Sequence, residues 1–214
     1  MKKETILVFG AHSDDEVIGM GGTILKYVAE GKKVIVVVFT SGEFSSPWLR
    51  KEILIEERRK EGEKIKKLLG VTEVINLGVK DSTLKKEVDN PDFQKVVREL
   101  ILKYKPSKIF THSKYDHHAG GDHKAAHKLV IKEVNKLNKN ISLFTYEVWN
   151  ISNEIIPRMY VDVSDTFKKK IHAMRRFRSQ WLYVYILMIP VIVRSRILGL
   201  QLGTKYVERF YKIK

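Results

Sequence analysis

Two short runs constrain this chain more than anything else in it: TILVFG at 5–10 and VIVVVFTSG at 34–42. Both are β-branched, apolar and almost free of alternation. Strands of that kind are buried on both sides, as in a parallel sheet with helices on each face. Between them GGTILKYVAEGKK has helical spacing and a glycine stop at Gly31. The alternation then continues. Residues 49–69 predict a long amphipathic helix that turns Ile53, Ile65, Leu68 and Leu69 toward the sheet and ends at Gly70. VTEVINLG reads as a third strand, PDFQKVVRELILKY as a helix with Pro91 in its first turn, and SKIFTH at 107–112 as a fourth strand. DHKAAHKLVIKEVNKL opens the next helix, SLFTYEVW and RMYVDV are late strands, and DTFKKKIHAMRRF is a late helix. The expected fold class is α/β, with layers of helix around a sheet.

The 214 residues carry no internal repeat or linker, so 1–214 is expected to form a single domain. Cysteine is absent, which excludes disulfides and thiolate metal ligands and suits a reducing cytoplasm. The opening MKKETILVFGAH has too short an apolar run for a signal peptide, so a cytoplasmic location is expected. WLYVYILMIPVIV at 181–193 falls short of the roughly 20 residues a spanning helix needs, and Pro190 interrupts it. Buried core is the first expectation there. A groove or membrane-surface contact is the second, because Arg194 and Arg196 flank it.

The formal net charge of +15 points toward anionic partners: substrates, nucleic acid or lipid headgroups. The lysines, however, are mixed with glutamate in helical stretches such as RRKEGEKIKKLL, as on solvated helix faces. No RRM, helix-turn-helix or zinc-finger signature accompanies them, so specific nucleic-acid binding is not expected.

Against this basic background, ILVFGAHSDDEVIGMGG at 6–22 places three consecutive acids, Asp14, Asp15 and Glu16, just past a strand end. Ligands of open parallel sheets bind beyond such ends, and polar groups also gather at the next three tips, in TSGEFSS, LGVKDS and THSKYDHHAGGDH. A dinucleotide does not fit the first tip. The G-x-G-x-x-G spacing is absent, and carboxylates stand where a pyrophosphate would sit. A metal fits better. His12 and Asp15 form the mixed nitrogen and oxygen set that suits Zn²⁺, leaving Asp14 or Glu16 free to act as a base. The alternative is that SDDE is only an acidic N-cap and first turn.

The fourth tip strengthens the metal reading. HSKYDHHAGGDHKAAH contains His112, His117, His118, His123 and His127, five of the chain's seven histidines. His123 opens a helix beside Asp122, where it can face a metal held from the first loop. His127 follows at i+4 but without the glutamate of H-E-x-x-H, which places it behind the ligands or on the surface.

Together these clusters resemble the LmbE-like, or PIG-L, family of zinc-dependent de-N-acetylases. The family's A-H-P-D-D-E appears as AHSDDE, followed by GMGGTI, and its H-x-D-H appears in altered form within DHHAGGDH. TSGE, RRKEGEKIKKLLGV, YEVW, VDVSDTFKKKIHAMRRFRSQ and GLQLGTKYVERF extend the likeness almost to the end of the chain. The resemblance implies a Rossmann-like three-layer α/β sandwich with a mostly parallel central sheet. It implies one Zn²⁺ per chain on His12, Asp15 and His123, with Asp14 as general base. A further histidine donates to the developing oxyanion. The family position for it, three before His123, is Gly120 here, so His118 takes the role with His117 as the alternative, and Asp122 orients one of them. Ser13 replaces the usual proline. Arg58 and Asp81 match positions that contact the sugar.

The implied activity is removal of the acetyl group from an N-acetylglucosamine-type sugar or glycoconjugate, releasing acetate and a free amino sugar. A non-catalytic sugar- or anion-binding protein on the same scaffold is the alternative. The implied partner is a small N-acetylated sugar; a lipid-linked substrate at a membrane surface and a homo-oligomer both stay open.

Overall fold

The computed structural model describes residues 3–44, 50–116, 121–137, 140–149 and 156–214. Among them seven strands form one sheet in the order β3-β2-β1-β4-β5-β7-β6. The strands β1 (Thr5–Gly10), β2 (Lys33–Thr40), β3 (Glu73–Val79), β4 (Lys108–His112) and β5 (Ser142–Tyr146) pair in parallel. Then β7 (Val207–Lys212) joins β5 antiparallel, and β6 (Arg158–Asp162) pairs antiparallel with β7 at the edge. Ile6 and Val8 of β1 pack into the core on one face, Leu7 and Phe9 into the core on the other. That double burial is why the sequence there does not alternate.

Helices cover both faces, giving the three-layer α/β sandwich. On one side lie α1 (Asp15–Ala29), α2 (Lys51–Leu69), α6 (Phe167–Met174) and α7 (Trp181–Gln201). On the other lie α3 (Leu84–Glu87), α4 (Pro91–Tyr104) and α5 (Asp122–Lys136). Asn90 caps α4 by accepting from the amides of Asp92 and Phe93, with Pro91 at the first helical position.

Three features depart from the sequence reading. In α2 the inward stripe is Leu54, Arg58, Glu61, Ile65 and Leu69, whereas Ile53 and Leu68 point to solvent, 50% and 37% exposed. Two inward positions are charged because Arg58 reaches polar groups at the sheet's end and Glu61 reaches Ser179 in the turn after α6, so apolarity alone turns the expected stripe. Second, the segment at 181–193 is half core only. The helix α7 passes through Pro190 and continues to Gln201; Val184, Leu187, Met188 and Val191 are buried, while Ile186 and Ile189 stand out from the surface. From Arg178 to Gln201 it is long and apolar enough to cross a membrane by length and composition, although one side packs into the core. Third, α3 and β7 are additional elements. Leu84 of α3 is buried in the second core, and β7 extends the sheet beyond β5.

The glycines of GMGG serve close packing. A Cβ on Gly19 would lie 2.3 Å from the ring of Tyr146, so only glycine lets α1 approach β5 this closely. At Met20 the helix kinks (φ −148°), and the amides of Gly22 and Thr23 donate to the Glu208 carboxylate at 3.0 and 2.7 Å. Buried Lys170 donates to the same carboxylate at 2.6 Å. Gly19→Ala is expected to lower stability by about 1–3 kcal/mol through overpacking. Urea unfolding measures this, and an unchanged midpoint would show that Tyr146 yields to the added methyl.

Candidate metal centre

The strands β1 and β4 are neighbours at the centre of the sheet; β2 lies outside one and β5 outside the other. The chain order reverses between them, which is where open α/β sheets form crevices. After β1 the loop is pinned by Thr40, whose amide and Oγ1 both donate to the Ala11 carbonyl at 2.9 and 2.8 Å. The His12 amide donates to Asp15 Oδ2 at 2.7 Å. Across the crevice Gly121, with φ +75°, turns the chain into α5 and delivers Asp122 and His123.

Three donors converge. His12 Nδ1 lies 3.4 Å from Asp15 Oδ2 and 3.3 Å from His123 Nε2, and His123 Nε2 lies 3.3 Å from Asp15 Oδ1. A tetrahedral ion with bonds of about 2.0–2.1 Å to nitrogen and oxygen needs donor separations of about 3.3–3.4 Å. The two ring nitrogens stand at that separation, and each meets an oxygen of Asp15 at it, Oδ2 for His12 and Oδ1 for His123, so this triangle of residues can hold such an ion through both nitrogens and one carboxylate oxygen. Each imidazole also has a carboxylate behind it, the arrangement that fixes the tautomer of a metal-bound histidine. His12 Nε2 faces Asp81 Oδ1 at 3.0 Å, with Asp122 Oδ2 at 3.7 Å, and His123 Nδ1 faces Asp116 Oδ2 at 3.0 Å.

Electrostatics makes the same point. Asp14, Asp15, Glu16, Asp81, Asp116 and Asp122 are all buried around this spot. Burial works to lower the His12 pKa, yet Asp122, Asp15 and Asp81 hold it well above the ordinary value. His123 is likewise lifted to about 9 by Asp15 and Asp116 against the desolvation of its ring. Asp15, despite burial, is held well below the usual carboxylate range by His123 and His112. Carboxylates that push the pKa values of two buried imidazoles upward mark a place that favours added positive charge, and a divalent cation would supply it.

Asp14 is the N-cap residue of α1, yet its side chain makes no capping hydrogen bond. The acids are therefore not explained as a cap. Instead Asp14 Oδ1 lies 3.7 Å from Arg58 Nη2. Gln180, its amide turned to satisfy both neighbours, donates to Asp14 Oδ2 at 2.8 Å and accepts from Arg58 at 2.6 and 3.1 Å. Arg58 also donates to Ser13 Oγ and to the Gly42 carbonyl. Burial and the Asp15 carboxylate raise the pKa of Asp14, while Arg58 and His12 act in the opposite direction. Glu16 behaves differently. Burial pushes its carboxyl well up, its Oε2 meets no hydrogen-bond partner among the described residues, and it lines a cavity of about 140 Å³ between α2 and β2–β3.

The sequence-predicted residues thus separate into groups. His12, Asp15 and His123 meet at one point, and Asp14 stands beside them with Arg58. Asp81 is engaged by His12, and it accepts from the amides of Phe44 and Ser82. Asp122 accepts from the Ser82 and Leu84 amides and faces His12. His118 and His117 lie outside the described residues. His127 is partly buried behind the site and donates to the His112 carbonyl at 2.8 Å.

Two residues without an assigned role prove central. His112 is fully buried, stacked on His123 with ring centroids 4.0 Å apart, and sits 3.1 Å from both Asp15 Oδ2 and Asp116 Oδ2. Asp116 links His112, His123 and the amides of Val148 and Trp149. The signal for both was the position of HSKYD at and just past the end of a buried strand; nothing in the sequence said which of its polar residues turned inward.

Known proteins resemble the chain over most of its length. A probable N-acetyl-alpha-D-glucosaminyl L-malate deacetylase 2 of Bacillus anthracis is 26% identical over 192 residues, covering 85% of this chain and 84% of that protein. A mycothiol S-conjugate amidase of Streptomyces coelicolor is 33% identical over 147 residues, 59% of this chain and 50% of the amidase. The structure of N,N'-diacetylchitobiose deacetylase from Pyrococcus horikoshii superposes with a TM-score of 0.80 at 26% identity, covering 98% of this chain and 84% of that one. The profile described as PIG-L, GlcNAc-PI de-N-acetylase, matches residues 7–134, a span that holds every donor of the triangle. The chain belongs to the PIG-L family of deacetylases, enzymes that hydrolyse amide bonds.

Proposed function

We propose that this deacetylase is zinc-dependent and removes the acetyl group from an N-acetylglucosamine-type sugar or glycoconjugate, releasing acetate and a free amino sugar. The observation that carries the zinc assignment is the convergence of His12, Asp15 and His123, whose ring nitrogens stand 3.3 Å apart, each 3.3–3.4 Å from an oxygen of the Asp15 carboxylate. Two imidazoles and one carboxylate are a set that zinc favours among divalent ions. When bound, zinc supplies a Lewis acid that polarises a carbonyl and makes water more acidic.

The chain's own residues supply the rest. Asp81 and Asp116 keep the imidazoles of His12 and His123 aimed at the centre. Asp14 accepts a proton from the attacking water and returns it to the leaving nitrogen. One C–O bond forms, one C–N bond breaks, and the proton count balances. Arg58 and Gln180 position the Asp14 carboxylate for both transfers. Oxyanion donation is assigned to His118, with His117 as the alternative. A sugar contact belongs to Arg58, which lines the cavity beside Ser13, and to Asp81.

Chelation of the purified protein is expected to abolish release of free amine from acetylated sugars, and one equivalent of zinc per chain to restore it. Amine release that ignores chelation would overturn the zinc assignment. A zinc-loaded protein inert toward every acetylated amino sugar in a panel would favour a binding role instead.

A further inference from the structure

The outer side of α7 has no part in this chemistry. Trp181, Tyr185, Ile186, Ile189, Ile197 and Leu200 stand between 49% and 69% exposed along it, while Val184, Leu187, Met188, Val191 and Leu198 fill the side toward the body. A helix on the surface of a soluble protein normally turns charged residues outward. A long stripe of large apolar side chains marks a surface that meets something else.

The charge around the stripe indicates what that is. Between Asp165 and Glu208 the chain has nine Lys or Arg residues and not one Asp or Glu. Arg175, Arg176 and Arg178, all exposed, lead into the helix, and Arg196 emerges among the apolar side chains of its outer side. A symmetric pairing of two copies would lay this patch on itself, cation against cation, in a chain that already carries +15. An anionic surface removes that conflict. Trp181, Tyr183 and Tyr185 at one end are the side chains that settle at a headgroup boundary, and arginine can reach up from an apolar face to phosphate.

We propose that α7 lies flat in the surface of an anionic phospholipid bilayer, its outer apolar side chains among the acyl chains and the flanking arginines on the headgroups. It does not cross the bilayer, because its inner side is part of the protein core. This goes beyond the reading of the metal centre and does not depend on it.

The test is co-sedimentation of the full zinc-loaded chain with phosphatidylcholine vesicles, with and without phosphatidylglycerol. Partitioning on the order of tenfold or more in favour of the anionic vesicles is expected, falling as salt is raised. The double substitution Ile186→Glu, Ile189→Glu should reduce binding to background and leave thermal unfolding unchanged, since both side chains point away from the core. Failure of the unmodified chain to bind anionic vesicles at low salt would overturn the proposal. So would equal binding to neutral vesicles, or binding unaffected in the folded double variant. Light scattering supplies the remaining arm: an oligomer that the double variant dissociates, with vesicles ignored, would mean that a second copy covers this face. Turnover of a soluble acetylated sugar should be the same in the variant, so failure here and failure of the zinc reading remain distinguishable.

Discussion

Asp14→Asn is expected to retain zinc and to lose turnover by about three orders of magnitude, within the 10²–10⁴ that a positioned general base contributes. Asp14 is not among the three converging donors, so the substitution removes no ligand. Asparagine has nearly the same shape, and its one carbonyl oxygen can still accept from Gln180, so the loop should keep its place. What disappears is the capacity to take a proton from water. Glu16 is badly placed to substitute. It faces the cavity between α2 and the sheet, and burial pushes its carboxyl well above the ordinary carboxylate range. Zinc content by atomic absorption, measured alongside kcat for amine release, checks both halves. Surviving turnover would remove Asp14 from the role of base, and lost zinc would make it a ligand.

The strands were legible because a doubly buried strand writes its environment directly into consecutive residues, as Ile6 to Phe9 do. The proposed metal donors were legible for a different reason: His12 and Asp15 lie three apart, and His123 opens a helix next to an acid. The supporting residues were harder to see. His112 comes within 3.1 Å of Asp15 across ninety-seven positions of sequence, and only the pairing of β1 with β4 brings them together. In α2, Arg58 and Glu61 are buried because each has a polar task. Arg58 serves Asp14, and Glu61 accepts from the amide and hydroxyl of Ser179. Reading inward positions by apolarity necessarily passes over such residues. The helix α7 fails in the opposite sense. It is apolar on all sides, so periodicity could not tell the packed side from the outer one.

Asp116→Asn is expected to weaken zinc binding by about 10- to 100-fold, the usual cost of losing a carboxylate behind a ligand histidine. Asp116 Oδ2 receives His123 Nδ1 at 3.0 Å and His112 Nδ1 at 3.1 Å, and the Val148 and Trp149 amides donate to the same carboxylate at 3.2 and 2.8 Å. A carboxylate can accept all four. An asparagine has one accepting oxygen, so its NH₂ must face at least one of these donors. If His123 answers by moving its proton from Nδ1 to Nε2, the nitrogen aimed at the metal is blocked. A wrong tautomer in an intact site is the expected defect, as when the aspartate of a hydrolase triad is made an asparagine. Asp116→Ala separates this from simple damage. It removes the acceptor that all four donors share in a fully buried spot, at about 1–3 kcal/mol for each hydrogen bond lost, and should lower the unfolding midpoint of the metal-free protein much further than asparagine does. Competition with a chromophoric chelator gives the zinc affinity, and urea unfolding of the stripped protein gives the stability. Zinc affinity in Asp116→Asn equal to that of the unmodified chain would mean that the His123 proton is not held by Asp116, and the carboxylate would then be only part of the scaffold.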